Sequence, residues 1–384
     1  MAVKNLIICC DGTWQELSQR FPTNVTRLTR ALAPTATRGG QTIPQVIFYD
    51  DGVGVGTGVL DKTTRILGGA LGHGLDRKVL EAYEFLVLNY QPGDRIYIFG
   101  FSRGAYTARS VAGLLRQVWI LKRENASEIE RAIAMYRDHD KDAVETQRFR
   151  RNFCHVGEPA LETREFDANA PARTVTKAVD QTGWIQFLGV WDTVGSLGIP
   201  RGLPFSEQIN GKYEFHDTTL SRFVWNARHA VAIDERRETF TPTLWTNIDR
   251  LNTNADADAV PYEQRPYQQT WFPGGHGAVG GGESDGGISL APLLWMMDGA
   301  LKAGLAFDAE QLADFTGAAD PTAPLRTSDR NVGSIVLGLV GSKDRNGPTR
   351  LDEVSDAARK RWKNVPAYRP KALATVAGTL DALP

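Results

Sequence analysis

Residues 95–118 read RIYIFGFSRGAYTARSVAGLLRQV, and they carry the clearest structural pattern in the chain. Residues 96–99 are apolar and rich in β-formers, which predicts a short buried strand. From Ala105 to Val118 the apolar side chains recur every three or four positions, which predicts a helix. Gly100 and Gly104 stand between the two and favour a sharp turn. The stretch therefore predicts a strand, a tight turn and a helix in that order.

Ser102 lies at the centre of that turn. A serine hydroxyl is a weak nucleophile at neutral pH, and the nucleophile elbow of α/β-hydrolases presents it on a strained turn between a strand and a helix. The amide of Arg103, at the start of the helix, would face the oxyanion of a tetrahedral intermediate. This context favours a serine hydrolase with Ser102 as nucleophile over an ordinary strand-to-helix turn.

The segments around the elbow predict a parallel sheet. Residues 6–10 form an apolar run that stops at Asp11, which is typical of a strand buried on both faces. Further strands are predicted at 45–49 and 184–191, and helices at 76–89, 220–233 and 290–303. We expect an α/β protein of the α/β-hydrolase fold, with a mostly parallel central sheet flanked by helices. It would form one domain over residues 1–384, with insertion or cap segments at about 122–180 and 200–270.

The composition excludes several classes of protein. The 44 Lys and Arg nearly balance the 45 Asp and Glu, so no global field attracts nucleic acid. Cys9 and Cys10 are adjacent and Cys154 stands alone, which gives neither a disulfide framework nor metal-ligand spacing. We therefore expect no metal and no cofactor. Without a signal-peptide pattern or a spanning apolar stretch at the amino terminus, the expected location is the cytoplasm, or outside the cell by a route that needs no cleavable signal.

A serine nucleophile of this fold needs a carboxylate and a histidine after it, in that chain order. Asp192 ends the apolar run 187–191, where its carboxylate would face the sheet edge, although a turn or helix-capping Asp gives the same pattern. His276 lies in a glycine-rich loop and His229 in a pattern read as helical. The loop placement favours His276 as the base and leaves His229 as the alternative.

The second amide of the oxyanion hole would come from the loop after the first strand. Gly12 and Thr13 are the candidates, and Asp11 is a possible supporting residue. A haloacid-dehalogenase phosphatase would place an aspartate where this chain has Cys9, so that interpretation lacks its nucleophile.

Several motifs together resemble one known family, over about residues 4–300. They are Cys10–Trp14, Thr23–Val25, Gly100–Ala105, Gly189–Gly195, His229–Glu235 and Trp271–His276. The chain resembles the α/β-hydrolase domains of type VI secretion lipase effectors. The resemblance implies a triad of Ser102, Asp192 and His276, and phospholipase activity on membrane lipids.

The function expected from the sequence is cleavage of carboxylic esters, including phospholipids, through an acyl-enzyme. The substrate would be a small-molecule or lipid ester, with transient membrane contact. The sequence identifies no immunity or secretion partner. Two alternatives remain open at this stage: a catalytically silent binding or scaffold protein of the same fold, and an amidase or hydrolase of polymer esters.

Overall fold

The computed structural model describes residues 3–12, 17–52, 70–138, 143–155, 185–194, 219–284, 287–325 and 342–383. The strands of this part of the chain are β1 (Asn5–Cys10), β2 (Thr35–Arg38), β3 (Gln41–Asp50), β4 (Arg95–Phe101), β5 (Ile185–Trp191), β6 (Ala227–Ala232) and β7 (Tyr267–Phe272). They form one seven-stranded sheet in the order β2-β3-β1-β4-β5-β6-β7. All neighbouring strands are parallel except β2 and β3, which are antiparallel.

The helices of the described residues are α1 (Asn24–Ala31), α2 (Ala70–Asn89), α3 (Arg103–Val118), α4 (Ile129–Arg137), α5 (Ala143–Phe153), α6 (Ile248–Asn254), α7 (His276–Gly280), α8 (Leu290–Lys302), α9 (Ala309–Ala318), α10 (Asp356–Asn364) and α11 (Ala377–Asp381). Short 3₁₀ turns occupy 123–128, 238–240, 262–264, 351–353 and 371–376.

Both faces of the sheet are buried, which explains the continuous apolar runs of its central strands. In β1, Leu6 and Ile8 pack with α2 and α3 on one face. The alternate residues Ile7 and Cys9 pack with α1 and α8 on the other face. The mostly parallel α/β sheet flanked by helices, predicted from the sequence, is confirmed.

The helix predicted over 220–233 is wrong. Residues 227–232 form the interior strand β6, with every side chain buried. A strand buried on both faces shows no alternation, so a short apolar segment of this kind is not distinguished from a helix by periodicity. The expected cap over 200–270 therefore includes strand β6 and most of strand β7 of the central sheet. Residues 200–218 of it lie outside the described residues.

The other expected insertion, 122–180, begins as a helical layer. Helices α4 and α5 pack on the outer side of α3, where Gln117 donates a hydrogen bond to the carbonyl of Met135 and Cys154 donates one to the carbonyl of Val118. Residues 139–142 and 156–180 of this insertion lie outside the described residues.

Parallel pairing places the carboxyl ends of β1, β4, β5, β6 and β7 at one edge of the sheet. Asp11, Ser102 and Asp192 follow directly on β1, β4 and β5. Because ligands of open α/β sheets bind outside the carboxyl ends of the strands, this edge is where a functional site is expected.

Candidate active site

The turn around Ser102 has the backbone geometry of a nucleophile elbow. Ser102 adopts φ 57° and ψ −121°, in the left-handed half of conformational space that residues with a side chain rarely occupy. A Cβ on Gly100 would lie 2.3 Å from the carbonyl oxygen of Gly104, and one on Gly104 would lie 2.1 Å from that of Cys10. The two glycines are therefore required for α3 to start this close to β1 and β4.

Asp192 and His276 form a hydrogen-bonded pair beside the elbow. Asp192 directly follows β5, and His276 begins α7 after a three-residue turn that follows β7. His276 Nδ1 lies 2.6 Å from Asp192 Oδ2. The other oxygen, Oδ1, accepts a hydrogen bond of 2.9 Å from the amide of Ala232. The structure thus brings together two residues that lie 84 positions apart in the chain and that the sequence predicted as triad members.

Two aromatic rings pack against the imidazole. Its centroid lies 4.7 Å from that of Phe101, the residue before Ser102, and 4.8 Å from that of Phe240. Among the described residues, the Ser102 hydroxyl forms no hydrogen bond with His276. Catalytic hydrogen bonds are often long without substrate and shorten in the Michaelis complex.

A third residue, which the sequence did not suggest, binds the same carboxylate. Arg345 Nη1 lies 2.6 Å from Asp192 Oδ1, and Nη2 lies 3.0 Å from Oδ2, so the guanidinium contacts both oxygens. Although burial alone would raise the pKa of Asp192, the charge of Arg345 and the hydrogen bonds from His276 and Arg345 hold it well below its usual range. Asp192 is therefore a carboxylate at any neutral or mildly acidic pH.

Two acidic residues after β6 fix the turn that carries His276. Asp234 accepts a hydrogen bond of 2.6 Å from the amide of Gly274, and Glu235 accepts one of 3.1 Å from the amide of His276. Burial tends to raise the pKa of Glu235. Its hydrogen bonds and ion pair with Arg237 have a larger combined effect, so the net shift is downward. Both carboxylates act on the backbone, which orients the imidazole without occupying its ring nitrogens.

The two sides of the expected oxyanion hole differ. The amide of Arg103 lies in the first turn of α3, where backbone N–H groups have no partner within the helix. The amide of Gly12 instead donates a hydrogen bond of 2.7 Å to its neighbour, the Asp11 carboxylate. In this conformation the Gly12 amide is therefore engaged elsewhere, which differs from the role expected of it. Thr13, the other candidate, lies outside the described residues.

His229 is placed as a buried structural residue. Its Nδ1 lies 3.1 Å from Gln269 Oε1, and its Nε2 accepts a hydrogen bond of 3.3 Å from the amide of Thr193. Burial, together with the charge of Arg109, lowers the pKa of His229 to about 3. With both ring nitrogens engaged, His229 remains neutral and supports the backbone next to Asp192.

The described residues lack two further kinds of feature. They contain no group of three or more His, Cys, Asp or Glu side chains arranged to hold a metal ion. They also contain no helix whose length and apolar character suit a membrane crossing.

Comparison with known proteins identifies the family. The family model described as "T6SS, Phospholipase effector Tle1-like, catalytic domain" matches residues 4–299. The chain belongs to this family. The matched range contains the elbow, Asp192 and His276, whereas Arg345 lies beyond it. The resemblance stated from the motifs is therefore confirmed.

Individual relatives are more distant. The chain is 30% identical over 253 residues to "Uncharacterized protein YEL023C" of Saccharomyces cerevisiae, which covers 63% of this chain and 33% of that protein. A solved structure of "the Tle1 effector bound to the VgrG spike from the Type 6 secretion system" is 22% identical, with a TM-score of 0.36 and coverage of 76% of this chain and 53% of that one. An uncharacterized protein from Pseudomonas aeruginosa is 17% identical, with a TM-score of 0.40 and coverage of 83% and 49%. The chain thus spans about half the length of the solved structures and a third of that of the yeast protein.

Proposed function

We propose that this chain is a serine hydrolase of carboxylic esters whose substrates are phospholipids. The observation that carries the proposal is the strained Ser102 elbow beside the hydrogen-bonded pair of Asp192 and His276. Membership of the Tle1-like phospholipase family supports a lipase-type reaction.

Each group has a defined role in the proposed reaction. His276 Nε2 takes the proton of the Ser102 hydroxyl while Ser102 Oγ attacks the ester carbonyl. The Nδ1–H of the same ring donates to Asp192, which stabilises the imidazolium. The Arg103 amide stabilises the oxyanion, and the imidazolium then protonates the departing alkoxide. The acyl-enzyme is then hydrolysed. His276 takes a proton from water, which attacks the acyl carbonyl, and the imidazolium returns that proton to Ser102 Oγ as the acid leaves.

The side chain of Arg103 favours a phospholipid over a neutral ester. It directly follows Ser102 and is partly buried, and burial lowers its pKa to about 10. No carboxylate pairs with it among the described residues. A desolvated cation without a counter-charge next to a nucleophile favours substrates that bring an anionic group, such as the phosphate of a phospholipid.

The experiment that tests the nucleophile is labelling by a fluorophosphonate probe, combined with hydrolysis of p-nitrophenyl butyrate. We expect Ser102→Ala to abolish both. The matched control is Ser110→Ala, which removes another buried serine of α3 and leaves both unchanged. An unlabelled wild type that cleaves no ester and no amide would favour the scaffold alternative, and cleavage of amides alone would favour the amidase.

The experiment that tests the substrate class compares Arg103→Gln on two substrates. Cleavage of phosphatidylglycerol vesicles should fall about tenfold more than cleavage of p-nitrophenyl butyrate, because only the lipid offers a phosphate to the guanidinium. The neutral ester is the internal control for damage to the elbow. Equal losses on both substrates would contradict a phosphate contact.

We also propose that the protein works with a type VI secretion partner and is delivered by that route rather than remaining in the cytoplasm. The family description supports this proposal. Co-purification of the tagged chain with spike proteins from a strain that encodes such an apparatus would test it, with Ser102→Ala as a form that does not damage the host.

A further inference from the structure

Arg345 is unusual among the residues around Asp192 because of its distance along the chain. It lies 153 positions after Asp192 and outside the family match, yet its side chain is buried against the triad. Its Nη1 also donates to the carbonyl of Ala232 at 2.9 Å, and its Nη2 donates to that of Phe240 at 2.5 Å. The guanidinium is thus fixed by two carbonyls as well as by the carboxylate.

The Asp192 carboxylate accepts hydrogen bonds from two side chains and one backbone amide. Oδ2 of Asp192 accepts from both His276 Nδ1 and Arg345 Nη2, and Oδ1 accepts from Arg345 Nη1 and the Ala232 amide. A bidentate guanidinium fixes the plane of a carboxylate, because its two N–H donors match the spacing of the two oxygens. Arg345, together with the Ala232 amide, therefore fixes the direction in which Oδ2 faces the imidazole.

The same contact moderates the charge that the imidazole experiences. In a Ser-His-Asp triad the carboxylate stabilises the imidazolium that forms when the serine proton is taken. A permanent cation on the same two oxygens offsets part of that negative charge. The net negative charge that the Asp192 site presents to the imidazole is therefore smaller than that of an unpaired aspartate.

We propose that Arg345 is a positioning residue of the catalytic triad, which orients the Asp192 carboxylate toward His276 and limits how strongly it stabilises the imidazolium. The proposal rests on the proposed function. It makes the segment after residue 342 part of the active site, although this segment lies outside the matched catalytic domain.

Other charged groups also face this site. Glu235 lies against the backbone of His276, and Arg237 pairs with Glu235. Arg237 also interacts with Asp192 and with Glu283. His229 lies on the far side of Thr193 and is neutral. A variant changed only at residue 345 retains all of these charged groups, so the comparison tests the loss of the guanidinium.

The test measures the rate of fluorophosphonate labelling of Ser102 as a function of pH in the full chain. Arg345→Gln removes the charge, so the acid limb should move to higher pH by about one unit and the plateau should fall about a hundredfold. Arg345→Lys keeps the charge without the two-pronged contact, so the limb should stay in place while the plateau falls. If Arg345 had a purely structural role, the two variants would not be expected to differ in the position of the acid limb.

The matched control is Arg228→Gln. Arg228 is also buried and also pairs with a carboxylate, Asp298, and with the carbonyl of Trp295, but it lies toward the start of β6, away from the triad. This variant should leave the limb and the plateau at wild-type values. In an Asp192→Asn background, Arg345→Gln should have little further effect on the plateau, because Asp192 is the route by which Arg345 acts.

A folded Arg345→Gln protein with the wild-type limb and plateau would overturn the proposal. If that variant does not fold, a wild-type plateau in Arg345→Lys would overturn it equally. The titration of the His276 ring, followed by NMR in Ser102→Ala protein with and without Arg345→Gln, does not depend on turnover. An unlabelled wild type would therefore refute the proposed function, whereas an unshifted ring titration would refute the role of Arg345.

Discussion

Asp11 and Asp192 are two buried aspartates at the carboxyl ends of parallel strands, on either side of the strand that leads to Ser102. Asp192 is bound by a guanidinium and an imidazole. Among the described residues, Asp11 is bound only by neutral donors: the amide of Gly12 and the hydroxyls of Thr23, Thr26 and Tyr49.

The two carboxyls consequently behave in opposite ways. Burial raises the pKa of Asp11, and its hydrogen bonds only partly compensate. Burial has the same tendency at Asp192, but the charge of Arg345 and the hydrogen bonds from His276 and Arg345 together outweigh it and lower the pKa. Equivalent positions in the fold therefore do not imply equivalent roles. Because of its charged partners, Asp192 is a fixed negative charge. Asp11, a hub of hydrogen bonds from neutral groups, joins the end of β1 to the start of α1.

The largest expected difference is in turnover. Asp192→Asn should lower the plateau rate of labelling and of ester hydrolysis by roughly 10³–10⁴-fold, because an amide stabilises neither the imidazolium nor the required tautomer. The paired variant Asp11→Asn should lose about tenfold at most. Similar losses in the two variants would remove the distinction between them.

Asp11→Asn should mainly affect stability. An amide oxygen accepts fewer hydrogen bonds than a carboxylate, so the amide of Gly12 or one of the three hydroxyls loses its acceptor. We expect a loss of about 1–3 kcal/mol in the free energy of unfolding, measured by urea denaturation. Thr26→Val, which removes one donor from the same cluster, should cost less, and a larger cost would contradict the hub role of Asp11.

The contributions of the two aspartates to the free energy of unfolding should change with pH in opposite directions. A lowered pKa at Asp192 means that its contribution is present above about pH 3.9 and is lost as pH falls. A raised pKa at Asp11 means that wild type loses stability as pH rises from about 3.9 through the folded-state value. As pH falls below about 4, Asp192→Asn should therefore become less destabilising, whereas Asp11→Asn should become less destabilising as pH rises above about 4. Parallel trends would contradict this assignment.

The smallest effect is expected at His229, which also lies near Asp192. His229→Gln should change the labelling rate by less than about threefold, because a neutral buried ring with both nitrogens engaged takes no part in proton transfer. Stability should fall by about 1 kcal/mol through the weakened contact with the Thr193 amide. A hundredfold loss of labelling without unfolding would instead make His229 a partner in catalysis.

The sequence was sufficient where the pattern is local. Residues 95–118 predict the strand, the elbow and the helix, because the flanking glycines and the helical periodicity all lie within one short stretch. Asp192 was found because it ends an apolar strand, and His276 because glycines surround it. The interior strand β6 was missed, since burial on both faces removes the alternation that distinguishes a strand from a helix.

The chain by itself thus determines a mostly parallel α/β sheet and the segments that carry Ser102, Asp192 and His276. Only the tertiary structure brings Arg345 onto the Asp192 carboxylate and engages the Gly12 amide with Asp11. The physical reason is that a local pattern records how each segment buries its own side chains. A charge shared between residues 153 positions apart leaves no trace in either segment and exists only when the fold brings them within hydrogen-bonding distance.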